Sequence, residues 1–156
     1  MSAKKALKIL KDKRYSISFA ESVTGGKLAS EFTLNEGSSK AFMLGFVVYS
    51  SKMKNQVLNV DEKTIEKYGV VSKQVAKEMA LNMKNIANST IAISTTGNAG
   101  PTTLGNTSVG EVYVGIAYLD KVDVYKLELK KTNRQEIINE ITKEIWALLL
   151  NILITM

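Results

Sequence analysis

Ser16-Ile17-Ser18-Phe19-Ala20-Glu21-Ser22-Val23-Thr24-Gly25-Gly26-Lys27-Leu28-Ala29-Ser30-Glu31-Phe32-Thr33-Leu34 is the stretch whose reading decides the fold. Ser16 to Ala20 has strand composition with Ile17 and Phe19 inward, and Lys27 to Leu34 has helical spacing. Between them, residues 21–26 leave room only for a tight turn. A strand handed directly to a helix is the opening unit of a layered α/β domain.

Working outward, residues 2–12 read as a helix with Ala6, Leu7 and Leu10 on one face. Phe42 to Tyr49 has strand composition. Asp61 can cap a short helix that Gly69 ends. Ser72 starts a longer helix whose face is Val75, Met79, Met83 and Ile86. Thr90 to Thr96 reads as a strand, followed by a Gly- and Thr-rich loop, Gly97 to Gly110, with the only proline, Pro101. Val112 to Tyr118 and Val122 to Leu129 read as a hairpin around Asp120-Lys121. Asn133 and Glu136 stand in capping positions for a last helix with Ile137, Ile141, Ile145, Leu148 and Ile152 on its apolar face. The order of elements predicts a three-layer α/β/α sandwich with a mixed, mainly parallel sheet and a late antiparallel hairpin, as one domain over residues 1–156.

Composition narrows the chemistry. The 156 residues are 45% hydrophobic and 23% charged, as in an ordinary globular domain. Neither Cys nor His occurs. That excludes a disulfide framework, a thiol nucleophile, a Ser-His-Asp triad and most transition-metal sites. No metal and no cofactor is expected. Any proton transfer must then fall to Asp, Glu, Lys or Tyr. No signal peptide or membrane-spanning run is read, so the expected location is the cytoplasm. The formal charge of +6 is mostly lysine spread along helices and reads as a solvated face, which makes a nucleic-acid partner unlikely. The apolar faces of the two long helices permit a homodimer or serve the domain's own core.

Ligand sites in such folds lie beyond the carboxyl ends of strands. Residues 21–26 and 96–110 have that placement. Ser22 would be presented at a sharp strand-to-helix turn, where backbone N–H groups can bind an oxyanion or a phosphate. By local pattern, Ser22 or Thr24 serves equally well as a plain helix cap. A serine without histidine needs another base, and a lysine kept neutral by burial can act. Lys54 is the candidate because it falls where a strand hands over to a helix. Successive N–H groups in Thr96-Gly97-Asn98-Ala99-Gly100 can cradle an anion, although the stretch is not a P-loop.

Together these motifs resemble the C-terminal domain family of the competence/damage-inducible protein CinA, whose stand-alone members are nicotinamide-nucleotide amidases. The resemblance rests on Ala20 to Gly26, Gly37-Ser38-Ser39, Tyr49-Ser50 with Lys54, Gly69 to Ser72, Thr96 to Pro101, Val109 to Tyr113 and Asn133-Arg134. It implies a serine–lysine hydrolase that converts nicotinamide mononucleotide to nicotinic acid mononucleotide and ammonia. It assigns Ser22 as nucleophile, Lys54 as general base and Tyr49 as the residue that assists them. Substrate contacts are implied for Thr24, Gly25, Gly26, Ser39, Thr96, Gly97, Gly100 and Arg134, the last as a phosphate partner. The chain departs from the family at Thr102-Thr103-Leu104, where glycines are usual, and at Val23, Leu44 and Ile138. The altered loop motivates an alternative: a module that binds a pyridine nucleotide or phosphate without turning it over.

Overall fold

The computed structural model describes residues 2–130 and 133–156. Five strands form one sheet: β1 (Ile17–Glu21), β2 (Phe42–Val47), β3 (Ile91–Gly97), β4 (Glu111–Tyr118) and β5 (Lys121–Glu128). Their order is β2-β1-β3-β4-β5. β1 runs parallel to both β2 and β3, and β3-β4 and β4-β5 are antiparallel. The helices are α1 (Ala3–Lys13), α2 (Lys27–Thr33), α3 (Ser51–Leu58), α4 (Glu62–Tyr68), α5 (Lys73–Ala87) and α6 (Arg134–Thr155). The three-layer α/β/α sandwich with a mixed sheet and late hairpin is the observed architecture.

Two cores sandwich the sheet. On one face α1, α2 and α6 bury Leu10, Leu28, Phe32, Ile141, Ile145 and Trp146 against Ile17, Phe19 and Ile93. Phe19 is the hub, with Phe32 edge-on at 5.8 Å and Trp146 edge-on at 6.1 Å between ring centroids. Such pairs add stability beyond their burial. Trp146 also donates its indole N–H to Glu31 at 2.6 Å, so its polar edge is satisfied. On the other face α3, α4 and α5 pack smaller residues, among them Ala80, Met79 and Met83, against Ala20, Ala92 and Ala117. β1 is buried on both sides, which leaves its carboxyl end as the place where it meets a cleft.

Local signals act as the sequence indicates. Asp61 accepts from Lys63 N–H to start α4, Ser72 accepts from Val75 N–H to start α5, and Asn133 accepts from Glu136 N–H to start α6. Three details differ. The hairpin corner is Leu119-Asp120, because Tyr118 pairs with Lys121 and Leu119 takes the left-handed region at φ 49°. Ile86 is 42% exposed, as its helix runs out into the 88–90 connection. Tyr49 lies past the end of β2, which stops at Val47. The apolar face of α5 is otherwise covered by the sheet, and that of α6 by the sheet together with α1 and α2. Lys4, Lys5, Lys8 and Lys11 stand exposed along α1. Among the described residues, no helix is long and apolar enough to cross a membrane.

Candidate active site

β1 and β3 are neighbouring parallel strands whose outgoing connections part, one into α2 and the other into the 98–110 loop. A crevice at such a point is the usual ligand position in an open α/β sheet. Ser22 is the first residue beyond β1 and is 8% exposed. Its N–H donates to Thr95 Oγ1 at 3.2 Å, and Thr95 Oγ1 in turn shares a hydrogen with Thr24 Oγ1 at 2.9 Å. Thr95 belongs to β3, so the turn is pinned laterally to the neighbouring strand.

Lys54 comes from α3, which Ser50 starts by accepting from Met53 N–H. Lys54 and Leu58 share the buried side of that helix, while Lys52 is exposed. Only 1% of Lys54 is exposed. Its Nζ lies 2.8 Å from Ser22 Oγ and donates to the Val48 carbonyl at 2.9 Å. Burial lowers its pKa from 10.5 to about 8, because an ammonium loses hydration in the interior. By the conversion of 1.36 kcal/mol per unit, holding the charged form there costs about 3 kcal/mol. This is a large fraction of a typical domain's net stability. Nothing in packing requires it, since an apolar side chain of similar length would fill the space without that cost.

Tyr49 and Arg134 form the rim. Tyr49 is 63% exposed. Its hydroxyl accepts from Arg134 Nη2 at 2.7 Å, and Arg134 Nη1 donates to the Gly100 carbonyl at 2.7 Å. The guanidinium therefore ties together the exit of β2, the 98–110 loop and the start of α6. Both partners are neutral oxygens. Ser22, Tyr49, Asn98, Gly100, Leu104 and Arg134 line one cleft of about 270 Å³. A larger groove of about 800 Å³ lies between residues 66–74 and 104–107, and among its described lining residues no serine is hydrogen-bonded to a lysine.

The other candidates divide. Thr24 is buried against Thr95, and Gly97 and Gly100 line the cleft. Gly97 must lack a side chain, since a Cβ there would lie 2.6 Å from Val112 Cγ2. Gly25 donates to the Ser22 carbonyl at 3.0 Å, so its amide is spent inside the turn. Thr96 turns away from the cleft and donates its hydroxyl to the Val70 carbonyl at 2.7 Å. Ser39 sits in a short 3-10 turn, Ser38–Lys40, just before β2. Because β2 is parallel to β1, that turn is at the amino edge of the sheet, opposite Ser22.

Three further residues, Glu21, Thr95 and Asn98, shape the cleft, and the first two carried no local signal. Glu21 places its carboxylate on the N–H groups of Gly26, Leu28 and Ala29. The α2 start is therefore occupied, and neither Ser22 nor Thr24 caps it. Thr95 is a strand residue by every local measure, and only its position beside the turn gives it a part. Asn98 accepts from Gly100 N–H at 2.9 Å and shapes the loop from within. Its Asx-type reach over two residues is a pattern that sequence reading can flag. Val23 lines the cleft, and its N–H has no acceptor among the described residues.

The profile of the CinA C-terminal domain matches residues 1–153. A protein of Thermoanaerobacter pseudethanolicus that bears a competence-damage inducible name is 47% identical over 96 residues, 62% of this chain. The matched segment spans 23% of that relative's length, so the chain corresponds to a minor part of it. A CinA superfamily protein from Escherichia coli has a solved structure with TM-score 0.93 at 26% identity, covering 96% of this chain and 87% of that one. One from Klebsiella pneumoniae gives TM-score 0.95 at 22% identity, covering 99% and 96% of the two chains, and supports the fold alone.

Proposed function

The chain belongs to the CinA C-terminal domain family, and from that premise we propose that it is a serine–lysine amidohydrolase acting on nicotinamide mononucleotide. The observation that carries the reading is the buried contact of 2.8 Å between Lys54 Nζ and Ser22 Oγ. With its pKa near 8, a useful part of Lys54 is neutral amine at physiological pH. That amine accepts the Ser22 proton as Oγ attacks the carboxamide carbon. The Val23 N–H, which follows the nucleophile and lacks an acceptor among the described residues, takes the developing oxyanion in this reading. Lys54 then gives its proton to the leaving nitrogen, the C–N bond breaks, and ammonia departs. Water attacks the acyl-enzyme while Lys54 takes its proton and returns it to Ser22 Oγ. The products are the carboxylate and free enzyme.

Cleft size favours a particular pose. At about 270 Å³ it falls just under the range of roughly 300 Å³ upward usual for ligand pockets. It suits the pyridine ring and its amide, with the ribose phosphate at the mouth. There Arg134 offers positive charge, held so far only by neutral oxygens. The α2 start is closed to the phosphate because Glu21 already fills it. A module that only binds its ligand gains nothing from the cost of a dehydrated lysine beside a serine, which favours turnover over the binding-only reading. Ammonia release from nicotinamide mononucleotide, compared with amides lacking the phosphate, tests the proposal. No release from any member of that panel would remove it.

A further inference from the structure

Glu21 ends β1 one residue before Ser22 and is 1% exposed. Its main chain is fixed by the sheet, with Val48 N–H donating to its carbonyl at 2.8 Å. Its side chain reaches forward across the turn to α2. Oε2 accepts from Gly26 N–H at 3.0 Å and Leu28 N–H at 3.1 Å, and Oε1 accepts from Ala29 N–H at 2.8 Å. One residue thus grips the sheet with its backbone and the helix with its carboxylate. Ser22 to Gly25 are bracketed between the two grips.

The bracket matters because Thr95 pins the turn sideways through Ser22 and Thr24, while two glycines follow before the helix. Gly25 at φ 60° and Gly26 at φ 94° occupy the left-handed region, where glycine has wide conformational freedom. α2 has only seven residues and no other side-chain cap. A helix that short depends on its partners, here the buried Leu28 and Phe32 and the Glu21 carboxylate, more than on its own propensity. Lys54 approaches from α3, a separate element, so the 2.8 Å contact depends on where the turn holds Ser22.

Resting on the Ser22–Lys54 reading above, we propose that Glu21 is a positioning residue that holds the Ser22 hydroxyl against Lys54. It touches neither substrate nor the reacting atoms. Its removal misaligns the pair without changing the burial of Lys54.

Glu21→Gln tests this. The side chain keeps its length but turns an NH2 toward an amide N–H, so at least one of the three bonds is lost. The variant and wild type are compared well below their melting temperatures. The measurements are kcat, KM, the pH limb and the rate at which a fluorophosphonate labels Ser22, read by intact mass. In labelling, Oγ bonds to phosphorus, fluoride leaves, and Lys54 takes the proton. The expected result is a joint fall of kcat and labelling rate of about a hundredfold, the scale of a 1 Å misplacement. KM stays within a factor of about three and the pH limb stays in place, which is how misalignment differs from loss of the base. Kinetics within about threefold of wild type in folded Glu21→Gln overturn the proposal, because loss of alignment costs far more. A displaced pH limb also overturns it, since the effect would then lie at Lys54. Should Glu21→Gln fail to fold, Glu21→Asp, with the charge kept and one methylene fewer, decides by the same criteria. A wild type that is neither labelled at Ser22 nor active removes the underlying reading. A wild type that labels, with a variant that labels equally fast, removes the positioning role alone.

Discussion

The floor and the rim of the cleft are built on opposite terms. At the floor, Ser22, Lys54, Thr95 and Glu21 are buried and each polar group has a partner. At the rim, Tyr49 and Leu104 are exposed, and Arg134 crosses open space between a carbonyl and a phenol. Buried groups in low dielectric interact strongly and tolerate no loss of a partner. Exposed ones exchange protein contacts for water at small cost. Under the proposed function, chemistry belongs to the floor and substrate selection to the rim. Thr102 and Leu104 belong to the rim and are exposed, whereas Val23, next to Ser22, is buried at the floor.

Ser22→Ala strikes the floor hardest. Turnover should fall by several orders of magnitude with the fold retained, because nucleophile and base act as a unit. Near-normal kcat in that variant would dissolve the distinction between floor and rim. Lys54→Arg keeps the charge but supplies no neutral amine at any accessible pH, and should be nearly inactive in the same assay.

A pH series sharpens the same contrast. The rate should rise with pH and level off as Lys54 deprotonates near 8. Stability carries the matching sign. Lys54 has a folded pKa of about 8 against 10.5 unfolded, so between those values the unfolded chain binds more protons and folding gains as pH rises. Relative to Lys54→Met, the melting temperature of wild type should climb from pH 8 toward 10.5 and be level below 8. A flat difference would mean that the lysine is not desolvated.

At the rim, Arg134→Lys should raise KM by roughly tenfold, the size of one charge-assisted bond, with kcat changed far less. A fall in kcat matching that of Lys54→Arg would move Arg134 into the floor. The smallest effect belongs to Lys52→Ala. Two residues from Lys54 but exposed, it should leave kcat/KM within about twofold, as surface changes usually do.

Much of the fold was legible because the signals are local. Asp61, Ser72 and Asn133 start helices by bonding N–H groups two or three residues away. Ile17 and Phe19 announce a core strand through spacing alone. The absence of His and Cys, also a matter of sequence, left Asp, Glu, Lys or Tyr for any proton transfer. Where pairing between strands decided, local reading erred. The hairpin corner moved to Leu119-Asp120 because the register of β4 with β5 outweighs the poor fit of leucine to positive φ.

By itself, then, the sequence determined the element order, the layered architecture and the residue types from which a site could be made. Only the tertiary structure decided which of them meet. Lys54 reaches Ser22 from 32 positions away, and Thr95 reaches it from 73. Ser39 stays at the far edge because β2 runs parallel to β1. Lys52 and Lys54 are alike in local composition. The burial of one face of α3 lowers the pKa of the second to about 8 and leaves the first exposed, since dehydration is set by what packs around an ammonium and not by its neighbours in the chain.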